Sequence, residues 1–199
     1  MTCTPTGPTL TSALLMSYDG HLKGSINFCQ MKKTVTPFTV QLVTFETNLP
    51  FEEVIARLDE ELNKQGSLQF LSKFRTATTR EEIVDLITNI TGNNDFLYFL
   101  EMNHHKWMNI YEEAHNPPAV VYTIGNPLTA ETILRHDIRT GYNIPPRLMV
   151  IERADRSGTS VLYHLPSSLV VGTRNAELEQ AILVLDDKLE KMITRVTAD

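Results

Sequence analysis

Two glutamate–histidine pairs in the middle of the chain have the spacing of helical metal ligands. Glu101 and His104 are three residues apart, and so are Glu112 and His115. Side chains at this spacing share one face of a helix, and such pairs bind metals in helical bundles. Such a site needs more inward carboxylates than the neighbouring segments offer. The alternative is that these are surface pairs beside a buried Trp107, so no metal is predicted and the four residues stay candidates.

His136 and Asp137 form a second group with possible acid–base chemistry. A carboxylate can hold a histidine in one tautomer, which lets the ring act as a general base. Adjacent residues on a helix point in different directions, however, so His136 could instead satisfy the last carbonyls of a helix. His104 and His136 are the candidate catalytic residues of an enzyme whose reaction and cofactor the sequence does not assign.

Arg147 is the predicted anchor of an anionic or polar small molecule. A guanidinium binds a carboxylate through two parallel hydrogen bonds, and Arg147 begins a predicted strand. Nearby aromatic side chains would form apolar walls with polar edges. The alternative is a surface arginine beside core tyrosines. The predicted ligand-binding residues are Trp107, Tyr111, Tyr122, Asn126, Arg147 and Tyr163.

Two further motifs carry weaker signals. Ser167-Ser168 follows Pro166 without the glycine-flanked elbow of hydrolase nucleophiles, so a cap or turn at a strand end is expected. Gly125-Asn126-Pro127 follows a strand and opens a helix, as phosphate loops do. It lacks the lysine and the repeated glycines of those loops.

Apolar periodicity predicts the elements that position these residues. Predicted strands cover residues 38–46, 119–125, 147–151 and 160–165, and another could start at 68–71. Predicted helices follow Pro50, the Thr79 capping box and the Asn126 cap, and two more cover 95–115 and 176–196. The last helix has a narrow apolar seam, which suits either docking on the sheet or pairing with the same helix of another subunit. The seam consists of Leu178, Ile182, Leu185, Leu189, Met192 and Val196.

The length of 199 residues suits one domain with an added terminal element. Residues 1–36 are rich in Thr, Ser, Gly and Pro and are expected to form an N-terminal arm, disordered or laid on a surface. Ile26 and Phe28 could add a short edge strand. Residues 37–199 are expected to form a single α+β domain, with a helical insertion at about 76–115 and a C-terminal helix at about 176–197.

Charge and cysteine content exclude several classes of protein. The formal charge of −6 argues against a nucleic-acid-binding surface, which is normally basic. Cys3 and Cys29 fit no zinc spacing and are expected to be free thiols in a reducing compartment. The N-terminus lacks the pattern of a secretory signal, and no segment has the apolar length of a membrane span. A cytoplasmic protein is therefore expected.

Several motifs together resemble the domain of unknown function 302 family. The chain contains FTVQLVTFETNLPFEEVIARLDEEL, then YTIGNPLTAETILRHDIRTGYNIPPRLMVIE, then LYHLPSSLV, which lie within residues 38–170. The resemblance implies a curved antiparallel sheet with helices on one face, similar to the TATA-binding-protein-like class and often dimeric, with no settled activity. The chain departs from the compact family pattern in its arm, its middle at about 76–115 and its C-terminal helix.

These observations favour a small-molecule binding or sensing module, with its pocket between the sheet and the helix near His104 and Tyr111. One alternative is the enzyme with His104 or His136 at its centre. Another is an interaction protein that recruits a partner through its C-terminal helix. A homodimer is expected, built through an exposed sheet edge or through the apolar seam of that helix.

Overall fold

A computed structural model describes residues 32–170 and 175–199. Contacts divide the chain into two units, residues 1–36 and 37–199. The predicted arm lies almost wholly outside the described residues, as do the predicted edge strand at Ile26 and Phe28 and the cysteines Cys3 and Cys29. All the strands and helices that follow belong to the second unit.

The described strands form one open antiparallel sheet with the order β1-β5-β4-β3-β2. The strands are β1 (Leu42–Thr47), β2 (Leu97–Asn103), β3 (Ala119–Gly125), β4 (Arg147–Glu152) and β5 (Thr159–His164). Four of them match the predicted ranges, with ends that differ by a few residues at most. Strand β2 was not predicted. Strands β1 and β2 form the sheet edges, and dimer formation through such an edge stays a prediction.

Helices lie between strands and after the last strand. They are α1 (Phe51–Glu61), α2 (Lys64–Ser67), α3 (Phe70–Thr76), α4 (Arg80–Thr91), α5 (His104–Glu112), α6 (Pro127–Leu134) and α7 (Ala176–Thr197). Two 3₁₀ turns lie at Ile138–Tyr142 and Pro166–Leu169. No helix in the described ranges combines the length and apolarity that crossing a membrane requires.

Helix starts follow the predicted caps. The Thr79 hydroxyl accepts a hydrogen bond from the Glu82 amide at 3.1 Å, and the Glu82 carboxylate accepts one from the Thr78 amide at 2.8 Å. The Asn126 side chain accepts from the Leu128 amide at 2.9 Å, with Pro127 at the first helical position. These bonds satisfy amides that have no partner inside the helix.

The main core lies between one face of the sheet and helices α1 and α7. Alternate residues of β3, such as Tyr122 and Ile124, face these helices and are buried. The whole seam of α7, from Leu178 to Val196, is buried in the same cluster. The seam therefore docks on the chain's own sheet, which is the first of the two arrangements that the sequence left open. The α+β class with helices on one face of the sheet is confirmed.

Residues 97–103 form strand β2, so the helix predicted across 95–115 is wrong in its first half. The strand was hidden because its polar residues Glu101 and Asn103 point to the covered face, opposite Tyr122 and Val120 of β3. Its apolar Met102 is 54% exposed on the other face. This reverses the usual alternation, in which apolar residues face the core and polar residues face solvent. A bulge near Tyr98 disturbs the pattern further.

Residues 70–76 form helix α3, where the sequence suggested the start of a strand. Phe70 and Phe74 are one helical turn apart, and their ring centroids lie 5.2 Å from each other. Phe70 also stacks on Phe99 of β2 at 5.4 Å. This contact between the two rings requires a helix, because residues four apart are separated by about 6 Å along a helix but by about 13 Å along a strand.

Candidate functional site

A cavity of about 490 Å³ lies between α3, α6 and the end of β3. We call it the apolar cavity. Its volume is in the range of small-molecule sites in proteins. Helix α3 contributes aromatic rings, α6 contributes aliphatic side chains, and the segment Ile144-Pro145-Pro146, here called the proline corner, closes one side. Its main apolar lining residues are Phe70, Phe74, Phe99, Ala130, Leu134 and Ile144.

Gly125 allows the walls of the apolar cavity to approach the sheet. A Cβ atom at this position would lie 3.0 Å from the Phe99 ring and 3.2 Å from the Pro145 Cβ. The backbone of β3 therefore touches both walls, with no room for a side chain. The Gly125-Asn126-Pro127 motif thus lines the cavity, and its Asn126 side chain caps α6 and donates to the Asp95 carbonyl at 3.1 Å.

The charged groups that line the apolar cavity neutralise each other. Glu131 and Arg135 are one turn apart on α6 and form an exposed ion pair. The hydrogen bond from Arg135 lowers the pKa of the Glu131 carboxyl, and the same bond raises the pKa of Arg135. No other ionisable side chain lines the cavity. Its interior therefore suits an apolar group.

The predicted ligand-binding residues do not come together. Trp107 and Tyr111 are 52% and 83% exposed on α5, a helix with no buried residue. Tyr163 is buried in the main core, where burial raises the pKa of its hydroxyl to about 12. Asn126 lines the apolar cavity, and Arg147 lines a second cavity on the other side of the proline corner. The pocket predicted near His104 and Tyr111 is therefore replaced by one at the opposite end of β3.

Tyr122 belongs to a charged network rather than to a pocket. Its hydroxyl donates to Asp59 at 2.7 Å, and the Lys64 ammonium lies 3.0 Å from Asp59 and 2.7 Å from Glu101. The ammonium also sits 5.4 Å and 5.3 Å from the ring centroids of Tyr98 and Tyr122. Lys64 and Asp59 were not predicted, because charged residues at the end of an amphipathic helix have no sequence signal for burial.

The electrostatics of this network favour structure over catalysis. Burial opposes the charged form of Lys64, but its hydrogen bonds to Glu101 and Asp59 outweigh this and raise its pKa. Burial likewise opposes the charged form of Glu101, but hydrogen bonds from Lys64 and Asn103 lower its pKa. Burial and the bond to Asp59 raise the pKa of Tyr122. A lysine that stays protonated is not a nucleophile. The ion pairs of this network therefore suit a structural role, in which they hold the helices to the sheet.

The candidate metal ligands lose the helical spacing on which they were predicted. Glu101 lies on β2 and binds Lys64, and His115 lies beyond the end of α5. Glu112 accepts a hydrogen bond from Asn116 instead. Within residues 32–170 and 175–199, no group of three or more His, Cys, Asp or Glu is arranged to hold a metal ion.

The candidate catalytic histidines lie at opposite ends of the sheet. His104 begins α5 beside the first residue of β3, and His136 follows α6 beyond the last. Seven residues of strand separate these ends by about 20 Å. Asp137 does not orient His136, because its carboxylate binds Arg139 at 2.7 Å and caps the next turn. His136 follows the end of α6, which is the position that the alternative interpretation gave it.

The Pro-Ser-Ser motif forms a turn, as expected. Ser168 donates to the Leu165 carbonyl at 2.7 Å and accepts from the Gln41 amide at 3.0 Å, which ties β1 to the end of β5. The Ser167 amide donates to Asp186 at 3.0 Å, and Asp186 is buried on α7. The Ser168 hydroxyl is thus used in backbone contacts, and the Ser167 amide is used in the contact with α7.

Comparison with known proteins gives a family and a fold. The sequence model of the family described as "Domain of unknown function DUF302" matches residues 72–196. That range includes the middle segment and the C-terminal helix, which the sequence motifs indicated to be departures from the compact family pattern. No curated protein matches the chain. A crystal structure of an uncharacterized conserved protein DUF302 from Bacillus stearothermophilus matches with a TM-score of 0.55 and 17% identity, over 78% of this chain and 97% of that one.

Proposed function

The chain belongs to the DUF302 family, and we propose that it is a small-molecule binding protein whose ligand is held in the apolar cavity. The observation that supports the proposal is the cavity itself. About 490 Å³ of space is lined by aromatic and aliphatic side chains from α3, α6 and β2. A cavity of this size and chemistry is the usual setting for a small ligand with a largely apolar body.

The cavity is built from elements that hold each other in place. Phe70 and Phe99 stack at 5.4 Å, Gly125 lies against Phe99, and the Ile124 amide donates to the Pro146 carbonyl at 3.1 Å. These contacts fix α3, β3 and the proline corner around the open space. A preformed site loses less conformational entropy on binding, which favours affinity.

The two alternatives have less support in the described part of the chain. The enzyme alternative placed His104 or His136 at its centre, and Asp137, the carboxylate next to His136 in the sequence, binds Arg139 instead. The interaction alternative relied on the apolar seam of α7, and that seam packs on the chain's own sheet. Neither arrangement offers a site comparable with the apolar cavity.

The proposal is tested with a neutral apolar fluorophore, N-phenyl-1-naphthylamine, whose emission rises in apolar surroundings. We expect saturable binding to the wild-type protein. Replacing Ala130, which lines the cavity, by phenylalanine should fill part of the space and weaken binding at least tenfold. Ala154→Phe is the matched control, because Ala154 is an exposed residue of the β4–β5 turn and lies away from the cavity.

Circular dichroism and the urea midpoint of each variant show whether the fold is retained. The proposal is wrong if the wild-type protein does not bind the fluorophore, or if folded Ala130→Phe binds it as tightly as Ala154→Phe does. Equal loss of binding in both variants would also contradict it, because the bound probe would then lie outside the cavity.

A further inference from the structure

Arg147 lines a second cavity of about 470 Å³, which lies on the other side of the proline corner from the apolar cavity. We call it the Arg147 cavity. Its walls come from the 3₁₀ turn after α6, the proline corner and the turn after β5. The lining residues that matter below are Thr123, Tyr142, Asn143, Arg147, His164 and Leu169.

Arg147 and His164 are neighbours on the open face of the sheet. Leu148 of β4 pairs with Tyr163 of β5, so in the same antiparallel register Arg147 lies opposite His164. Thr123 of β3 pairs with Arg147 on its other side. Directly opposed side chains have Cβ atoms about 5 Å apart. One row across three strands therefore presents a hydroxyl, a guanidinium and an imidazole to the same cavity.

The basic groups of this row have no acidic partner in the described ranges. No carboxylate of residues 32–170 or 175–199 forms an ion pair with Arg147, and no acidic residue lines the cavity. Arg135, Arg139, Arg153 and Arg195 by contrast each pair with a carboxylate. In a chain with a net charge of −6, a guanidinium without such a partner is a local site for an anion.

The remaining walls are held in place and are partly apolar. The Asn143 side chain donates to the Leu169 carbonyl at 3.0 Å, which joins the two turns that flank the cavity. Ile144, Pro145, Pro146, Pro166 and Leu169 supply apolar surface next to the basic row. An inorganic anion would use the guanidinium but leave this surface uncovered.

We propose that the Arg147 cavity is a second binding site, specific for an organic carboxylate with a small apolar body. The carboxylate binds the guanidinium of Arg147 through two parallel hydrogen bonds, and Thr123 and His164 flank it as further hydrogen-bonding groups. The apolar body packs on the prolines and Leu169. The proposal goes beyond the apolar cavity and stands whether or not that cavity binds a ligand.

The test compares benzoate with its uncharged isostere benzamide, and uses inorganic phosphate as a simple anion. Amide chemical shifts in ¹⁵N spectra of the whole chain report the affinity and the location of each probe. We expect benzoate to shift Thr123, Arg147 and His164 saturably, and to bind at least tenfold more tightly than benzamide or phosphate. Arg147→Ala should abolish this binding, and Arg147→Lys should weaken it because the planar fork is lost.

Arg139→Ala is the matched control, because Arg139 is an exposed arginine paired with Asp137 and does not line the cavity. It should bind benzoate as the wild type does, and so should Ala130→Phe, which separates this site from the apolar cavity. Equal binding of benzoate and benzamide, or unchanged affinity in Arg147→Ala, overturns the proposal. Phosphate that binds as tightly as benzoate overturns the organic-carboxylate class. Benzoate shifts confined to the apolar cavity overturn the location.

Discussion

The ammonium of Lys64 lies 2.7 Å from a carboxylate oxygen of Glu101, which joins the start of α2 to the edge strand β2. The same ammonium binds Asp59 of α1 at 3.0 Å. The side chain of Lys64 is only 18% exposed, so the pair is shielded from water more than an ordinary surface ion pair. One lysine thus links a helix to an edge strand that has a neighbour on one side only.

Replacing Lys64 by methionine should lower the free energy of unfolding by roughly 1–3 kcal/mol, because two carboxylates lose a hydrogen-bonding cation in a partly buried place. Lys191→Met is the matched control. Lys191 pairs with Asp187, and both side chains are more than half exposed, so its loss should change stability by less than about 0.5 kcal/mol. Urea unfolding of both variants measures the difference. Equal effects would show that the Lys64 contacts add nothing beyond a surface pair.

Much of the fold could be predicted because local chemistry and tertiary packing agree. The Thr79 and Asn126 caps mark helix starts, and the seam of α7 shows the face that packs on the sheet. Strand β2 could not be predicted in this way. Its inward Glu101 is paired with Lys64, which is distant in the sequence, and its inward Asn103 donates to Glu101, so the apolar pattern alone indicated a helix.

The candidate site was less predictable, because it too depends on contacts between residues that are distant in the sequence. Arg147 was identified from its residue type and its place at a strand start. The importance of His164 follows only from the β4–β5 register, which puts it opposite Arg147. The apolar cavity depends on the helical conformation of α3 and on the contact between Phe99 and Gly125. No short motif encodes either feature. Aromatic residues were identified, but the exposed Trp107 and Tyr111 were the wrong ones to place in a pocket.

The buried carboxyl of Asp186 should make stability depend on pH. Asp186 is 9% exposed, and burial raises its pKa despite the hydrogen bond from Ser167; nearby Glu190 adds to the rise. The folded protein therefore binds more protons than the unfolded chain between the ordinary aspartate pKa and the raised one. Stability from this group is complete below the unfolded pKa and is lost as the pH rises through the folded pKa.

Asp186→Asn keeps an oxygen that accepts from the Ser167 amide but has no charge to bury. Its stability relative to wild type should rise as the pH increases through that window and then level off. Asp137→Asn provides a contrast of opposite sign, because the hydrogen bond from Arg139 lowers the pKa of Asp137. That variant should lose stability relative to wild type as the pH rises from acid. Urea midpoints measured from about pH 3 to 8 give both slopes, and parallel curves for Asp186→Asn and wild type would refute the assignment.

Helix α7 should be required for folding rather than available to a partner. Leu189 is fully buried in the main core, so Leu189→Ala should lower the free energy of unfolding by about 2–5 kcal/mol. Leu183 is on the same helix and is 52% exposed. Leu183→Ala removes the same atoms from a solvent-facing site and should change stability by less than about 0.5 kcal/mol. Thermal or urea unfolding distinguishes them, and a neutral Leu189→Ala would mean that the seam is not packed in solution.

Gly158 at the end of the β4–β5 turn should tolerate no side chain. Its φ of +147° is a conformation that residues with a Cβ rarely adopt, and an added Cβ would meet the Thr47 carbonyl oxygen and lie 2.8 Å from the Asn48 Cα. Both contacts are with backbone, which cannot rotate away. Gly158→Ala should therefore lower the free energy of unfolding by at least the roughly 1–3 kcal/mol that is typical of backbone strain. It should also weaken the pairing of β1 with β5.

Gly92 is the control for this substitution, because it has a positive φ of +54° but nothing within 4 Å of an added Cβ. Gly92→Ala should lower the free energy of unfolding only by the backbone strain of roughly 1–3 kcal/mol, because a φ of +54° with a ψ of −113° suits glycine alone. Urea unfolding gives the two energies, and hydrogen exchange of the β1 amides shows whether the strand is loosened. If Gly158→Ala is no more destabilising than Gly92→Ala, and β1 protection is unchanged, then the close approach of Thr47 and Asn48 does not constrain this turn.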